Sequence, residues 1–225
     1  MESSARDEIL AKLKAAPKAA IPPRPALPPY PTLSMGREQL IKEFSERLTE
    51  ETVVVHRAKD FPEALERLTA VAVEEGLKKV MATTDDVVSR LDLPSWGKKN
   101  GIQVMTPRDF PDRYAYRDAV FDQAQAGITG ADFGVAESAT IGIIHNKDQA
   151  RLVSLAPILH IAVVPVDRIV PVYERIIEKV FGKKGEYPSQ FVFITGPSMT
   201  GDIQGALFKG MHGPRKVIVI LIQTQ

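Results

Sequence analysis

From Met35 onward the apolar positions change period several times, from helix-like to strand-like and back. Leu40, Ile41, Phe44 and Leu48 form a helical stripe, residues 52–56 are rich in β-branched side chains, and Phe61, Ala64, Leu65, Leu68, Val71 and Ala72 return to helical spacing. A strand is predicted over 79–82, a weaker pattern covers 85–91, and a short strand over 102–105 precedes a helix over 113–125. The second half reads more strongly. It predicts strands over 126–129, 140–145, 158–164, 190–195 and 216–222, with helices over 170–181 and 200–209. Several of these strands are almost continuous runs of Val and Ile, as expected of strands covered on both faces. The pattern therefore predicts an α/β domain of three layers, Rossmann-like, around a largely parallel sheet.

Residues 1–34 read differently. A short amphipathic helix fits residues 4–16, with Ser3 or Ser4 as its cap and Ile9, Leu10 and Leu13 as an apolar stripe. Pro17, Pro22, Pro23, Pro25, Pro28, Pro29 and Pro31 follow and favour extended backbone. This arm is either a tail without fixed structure or a docking helix on a semi-rigid tether. The domain proper is assigned to 35–225.

Composition narrows the chemistry. Of 225 residues 44% are hydrophobic and 25% charged, enough apolar material for one ordinary core. Lys plus Arg number 29 against 28 Asp plus Glu, so no surplus charge draws the chain to nucleic acid or an anionic membrane. Without cysteine it has no disulfide, no thiolate nucleophile and no thiolate ligand for zinc or an iron–sulfur cluster. The longest apolar runs are far short of the roughly 20 residues of a membrane-spanning helix. The acidic, discontinuous start of the sequence does not resemble a secretory leader, and a cytoplasmic location is expected. Four scattered histidines show no metal-binding spacing, and neither a cofactor nor a metal is expected.

Three segments concentrate polar residues at predicted strand ends, where open α/β sheets bind ligands. In the first, residues 127–140, Thr129 and Gly130 lead to Asp132 and Glu137, two carboxylates able to act as acid and base, and to Ser138 and Thr140. Local turn chemistry accounts for the same residues equally well. In the second, Gly196, Pro197, Ser198 and Thr200 join a strand to the helix predicted over 200–209, whose free N–H groups would attract a small anion. Alternatively Ser198 or Thr200 simply caps that helix, with Asp202 complementing its dipole. In the third, Arg151 offers a guanidinium to a carboxylate or forms a surface ion pair. His56, His145 and His160 read as hydrogen-bonded core histidines. If strands 190–195 and 216–222 are parallel, the intervening helix carries His212 to the sheet edge opposite Ser198, while residues 129–140 and 196–200 share one cleft.

Taken together, these segments resemble the lactate utilization protein C family, whose shared unit is the LUD domain. The resemblance rests on residues 127–140, on 151–165 with Val153-Ser154-Leu155 and His160-Ile161-Ala162-Val163-Val164-Pro165, and on 194–214 ending in His212-Gly213-Pro214. It implies a fold similar to the sugar-phosphate isomerases and CoA transferases. It also implies a non-redox subunit of a system oxidising L-lactate to pyruvate, with iron–sulfur clusters on partner subunits. By the same analogy Gly130-Ala131-Asp132 supplies an acid/base carboxylate, which leaves an independent isomerase-, ligase- or CoA-transferase-like enzyme, using Asp132 or Glu137, as the alternative. Ala139, Met199, Gly201 and Gln204 depart from the family pattern, and loss of a cation at Met199 would weaken anion binding there.

Overall fold

The computed structural model describes residues 4–17, 35–181, 187–188, 190–203 and 206–223. Two compact units divide the chain, residues 1–32 and 33–225. The described part of the first is the helix α1 (Ala5–Ala15), capped by Ser4, whose Oγ accepts from the Asp7 amide at 3.4 Å. No residue of α1 is buried, and Ile9, Leu10 and Leu13 are exposed.

The larger unit opens with α2 (Arg37–Glu50), then β1 (Val54–Ala58), α3 (Phe61–Glu74), β2 (Lys79–Ala82), a 3-10 turn (Val88–Leu91), α4 (Leu93–Asn100) and β3 (Gln103–Met105). It continues through α5 (Arg113–Asp122), β4 (Ala126–Gly130), β5 (Phe133–Val135), β6 (Thr140–Ile144), α6 (Leu152–Leu155), β7 (Leu159–Pro165), β8 (Ile169–Val170) and α7 (Glu174–Phe181). β9 (Phe191–Ile194), β10 (Met199–Ile203), β11 (Ala206–Lys209) and β12 (Lys216–Ile222) complete it.

Six strands form one sheet in the order β1-β12-β7-β4-β2-β3, every pairing parallel. The expected Val and Ile strands are its centre: all seven residues of β7 are buried. On one face Leu68, Val71, Leu91 and Trp96 cover Ile128, Ile161 and Ile220. On the other, Phe44 and Leu48 of α2 pack with Val164, Val219 and Leu221. That second face is not helical alone, because a four-stranded sheet, β8-β5-β6-β9, also contributes Ile141 and Ile143 to it. The β5–β6 and β6–β9 pairs are antiparallel.

The direction of chain travel across the parallel sheet reverses between β2 and β4. From β2 the chain steps outward to β3, returns to β4 on the other side, and then moves away through β7 to β12. Such a switch point opens a crevice beyond the carboxyl ends of the two strands.

Two expectations are corrected here. The helix predicted over 200–209 is an antiparallel hairpin, with Met199 paired to Lys209 and Thr200 to Phe208. The span carries Gly201 and Gly205 and lacks a continuous helical stripe, and each glycine costs about 1 kcal/mol in a helix interior. Strands 190–195 and 216–222 are not parallel neighbours either, since β9 lies in the four-stranded sheet, antiparallel to β6, and β12 in the six-stranded parallel one. No crossover helix is then needed between them. A smaller difference is that α7 begins at Glu174 rather than 170, because Pro171 holds Val170 in the extended backbone of β8.

Candidate functional site

The crevice at the switch point is lined by residues that leave the ends of β2 and β4. Asp85 is buried and accepts four donors: the amides of Val87 (3.0 Å), Val88 (3.1 Å) and Gly130 (3.1 Å), and the Thr83 hydroxyl (2.5 Å). Gly130 is required by this arrangement, since a Cβ there would lie 2.1 Å from Asp85 Oδ1.

Asp132 follows two residues later. Its Oδ2 accepts the Ile144 amide at 2.7 Å, while its own amide donates to the Gly142 carbonyl at 3.0 Å. Burial pushes its carboxyl up to about 6; the Ile144 amide and the nearby Arg168 guanidinium pull it down, and Asp85 and Asp86 add to the rise. Arg168 donates to the Ala131 carbonyl at 3.0 Å and forms an ion pair with Asp86.

A turn over residues 145–149 abuts this group. The buried Gln149 donates its side-chain amide to the Gly130 carbonyl at 3.0 Å, and His145 Nδ1 lies 3.2 Å from the Gln149 carbonyl oxygen. Burial, helped by the charge of Arg151, holds His145 below its ordinary pKa, against the pull of the Gln149 carbonyl. Arg151 itself is exposed at the start of α6. The crevice thus gathers Gly130, Asp132 and the charge of Arg151 from the sequence-level candidates. It adds Asp85, Gln149 and Arg168, which no motif singled out, and it draws His145 out of the category of ordinary core histidines.

The remaining candidates lie elsewhere. Thr129 points away from the crevice into the core, where its hydroxyl meets His160 Nε2 at 2.8 Å. Full burial drops His160 to about 4, so this is a neutral core pair. Glu137 stands exposed at the opposite end of β5 from Asp132 and accepts the Tyr173 amide at 3.2 Å. The three-residue strand β5 and the start of the turn after it separate the two carboxylates. Beside Glu137, the Thr140 hydroxyl meets Ser138 Oγ (3.0 Å), Tyr173 OH (2.7 Å) and Thr195 Oγ1 (2.9 Å). Ala139 occupies the left-handed region at φ 51°, a conformation glycine adopts without strain.

Ser198 sits at the amino end of the parallel sheet, beside the starts of β7 and β12. Its amide donates to the Pro214 carbonyl at 2.8 Å, and Arg215 in turn donates to Ile158 at 2.8 Å, just before β7 begins. Ala131, by contrast, donates to Val163, five residues further along that strand. Five extended residues span about 16 Å. The expected shared cleft of 129–140 with 196–200 does not form at Asp132, and the expected separation of His212 from Ser198 is reversed: the His212 amide donates to Ser198 Oγ at 3.2 Å. Since no helix begins at Thr200, neither Ser198 nor Thr200 caps one. Gly196 packs against Glu51, where a Cβ would lie 3.0 Å from the carbonyl oxygen, and Pro197 is buried. Among the described residues no group of three His, Asp or Glu side chains is placed to hold a metal ion, and no helix is long and apolar enough to cross a membrane.

Comparison with known proteins agrees with this architecture. Residues 41–222 match the LUD domain family. Lactate utilization protein C of Anoxybacillus flavithermus is 30% identical over 162 residues, covering 71% of this chain and 70% of that protein. The protein of the same name from Shouchella clausii is 30% identical over 186 residues, covering 79% and 78%. That of Bacillus subtilis is 40% identical over a shorter span, 46% of this chain and 45% of its own length. A crystal structure of a DUF162 family protein from Deinococcus radiodurans shares the fold, with a TM-score of 0.58 at 22% identity over 84% of this chain and 99% of that one. The chain therefore belongs to the LUD domain family, among the lactate utilization protein C sequences.

Proposed function

We propose that this protein is a non-redox subunit of an L-lactate utilization system, binding a small organic anion in the switch-point crevice and working with iron–sulfur partner subunits. Its relatives' names support the pathway, and the absence of cysteine supports assigning the clusters to other chains. The observation that carries ligand binding is Asp132, a carboxyl lifted to about 6 within reach of the Arg168 charge. A group that titrates near neutrality in a crevice of this kind is a functional-site signature. Gly130, Asp132 and Arg151 are the sequence-level candidates assigned to this site. Ser138 and Thr140 are assigned to holding the β5–β6 turn, and Gly196, Pro197, Ser198 and Thr200 to seating the β10–β11 hairpin.

The test has two arms. Calorimetric titration of the purified chain with L-lactate and with pyruvate is expected to show binding of a small acid. The chain alone is expected not to oxidise L-lactate with an artificial acceptor, and to support oxidation when recombined with cysteine-rich partners from the same cells. Robust oxidation by the chain alone overturns the subunit reading.

The same carboxyl also favours a second reading, an independent enzyme with Asp132 as acid/base. Turnover of a sugar phosphate or an acyl-CoA by the isolated chain, lost in Asp132→Asn, would establish it. Glu137 is remote from the crevice and exposed, which leaves Asp132 as the better candidate.

A further inference from the structure

The turn over residues 145–149 holds two buried acceptors without donors. His145 Nδ1 faces a carbonyl oxygen, which can only accept, so the ring proton sits on Nδ1 and Nε2 presents its lone pair. Among the described residues no group donates to Nε2. Gln149 uses its amide nitrogen on Gly130, and its Oε1 likewise has no donor. The two side chains are 8% and 2% exposed. An acceptor buried without a partner loses its hydration and gains nothing in return. Two of them in one turn, tied to Gly130 on one side and adjoining the Asp132–Ile144 bond on the other, form a coherent feature of the crevice.

Building on the ligand-binding reading above, we infer that His145 Nε2 and Gln149 Oε1 share the single hydroxyl proton of the bound acid, so that the site favours a 2-hydroxy acid over the corresponding 2-keto acid. A hydroxyl satisfies an unpartnered acceptor. A keto oxygen is itself only an acceptor and would face those lone pairs. Both atoms are closed off from solvent, so entry requires the 145–149 turn to lift. Three contacts hold that turn down: the Thr84 amide on the Asp148 carbonyl at 2.8 Å, the Arg108–Asp148 ion pair and the Gln149–Gly130 bond. Two of them end on Asp148, which makes that residue the latch.

The experiment is calorimetric titration with L-lactate and with pyruvate, of the wild-type chain and of His145→Phe, which keeps ring bulk and removes the acceptor. Wild type is expected to bind L-lactate about tenfold more tightly than pyruvate, the worth of one hydrogen bond of about 1.4 kcal/mol. His145→Phe is expected to erase that preference by weakening L-lactate alone; it also removes the Nδ1–H bond to the Gln149 carbonyl, so a cooperative melt is recorded to show that the variant is folded. Gln149→Met serves as the second variant and is expected to weaken L-lactate in the same direction. Equal affinity for the two acids in wild type, or an unchanged preference in both variants, overturns the inference while leaving ligand binding intact. Failure of both acids to bind overturns the inference and the ligand-binding reading together.

Discussion

The two ends of the parallel sheet handle polar residues in opposite ways. At the carboxyl end, between β2 and β4, Asp85 takes four donors, and its carboxylate with the Val87 side chain leaves no space for a methyl on Gly130. At the amino end the residues between β9 and β12 fold into a hairpin that leaves Met199, Phe208 and Met211 exposed, and Ser198 is held by bonds to the backbone of Pro214, Gly210 and His212. Both segments look alike as sequence, glycine-rich turns with hydroxyls and a carboxylate. What separates them is burial. Where water is excluded, a carboxylate must be matched donor by donor or shift its pKa, and that constraint gives the crevice its chemistry.

The sharpest way to break this contrast is to add one methyl at each end. Gly130→Ala places a Cβ 2.1 Å from Asp85 Oδ1, a carboxylate held in place by the Val87, Val88 and Gly130 amides. Urea unfolding is expected to show a loss of at least about 3 kcal/mol, at the upper end of overpacking costs. Gly213→Ala meets nothing closer than 3.4 Å and is expected to stay within about 0.5 kcal/mol of wild type. Similar losses at both glycines would mean that the two ends are packed alike.

A second test uses pH. His160 is fully buried and falls from 6.5 to about 4. Its neutral form is favoured by folding, so its contribution is complete above pH 6.5 and is lost as pH falls from 6.5 toward 4. The span of 2.5 units corresponds to roughly 3 kcal/mol. His160→Gln, which retains a polar side chain at Thr129 and does not titrate, is expected to flatten that acid limb when unfolding is measured at pH 7.5 and 4.5. An unchanged limb would assign it to other groups.

How much of this could be read from the chain follows from the same physics. The buried strands were legible because continuous Val and Ile runs have few other solutions, and 126–129, 158–164 and 216–222 appear as β4, β7 and β12 within a residue or two. Asp132 was legible as a carboxylate in a glycine-rich turn after a strand. Asp85, Gln149 and Arg168 were not, since their roles depend on sheet order, which brings residues 45 and 19 positions apart onto Gly130. The 200–209 helix failed because a short segment with Gly201 and Gly205 carries no decisive period, and long-range contacts decided it. β5, three residues long, and α4, interrupted by Gly97, fell below what periodicity detects.

Asp132 gives a smaller and opposite pH effect. Its folded pKa lies near 6, above the ordinary 3.8, so folding favours the protonated form and stability declines as pH rises from about 4 through 6. Asp132→Asn removes the burial of that charge and keeps an acceptor for Ile144. The variant is expected to be more stable than wild type by about 1–2 kcal/mol at pH 7.5, a value reduced for the carboxyl's partial exposure to solvent, and equal to it at pH 4. Loss of acid binding together with that gain would mark Asp132 as a residue whose role in the crevice opposes stability. A destabilised variant at pH 7.5 would instead assign the carboxylate to structure.

The smallest expected effect falls at the amino end and bears most directly on where the anion binds. Ser198 heads the segment that, as sequence alone, promises an anion site at a helix start, yet the segment that follows is the β10–β11 hairpin. Its Oγ accepts the His212 amide at 3.2 Å, a long bond at a partly exposed position. Its amide and carbonyl are already engaged with Pro214 and Gly210, both at 2.8 Å, and those backbone bonds do not depend on the side chain. Ser198→Ala therefore removes one hydrogen bond to an amide that solvent can reach, expected to cost under about 1 kcal/mol. Titration of this variant with L-lactate is expected to match wild type. If Ser198→Ala abolished acid binding with the fold intact, the anion would have to sit at the amino end, about 16 Å along β7 from the level of Asp132, and Asp132, Arg168 and Gln149 would revert to a purely structural cluster.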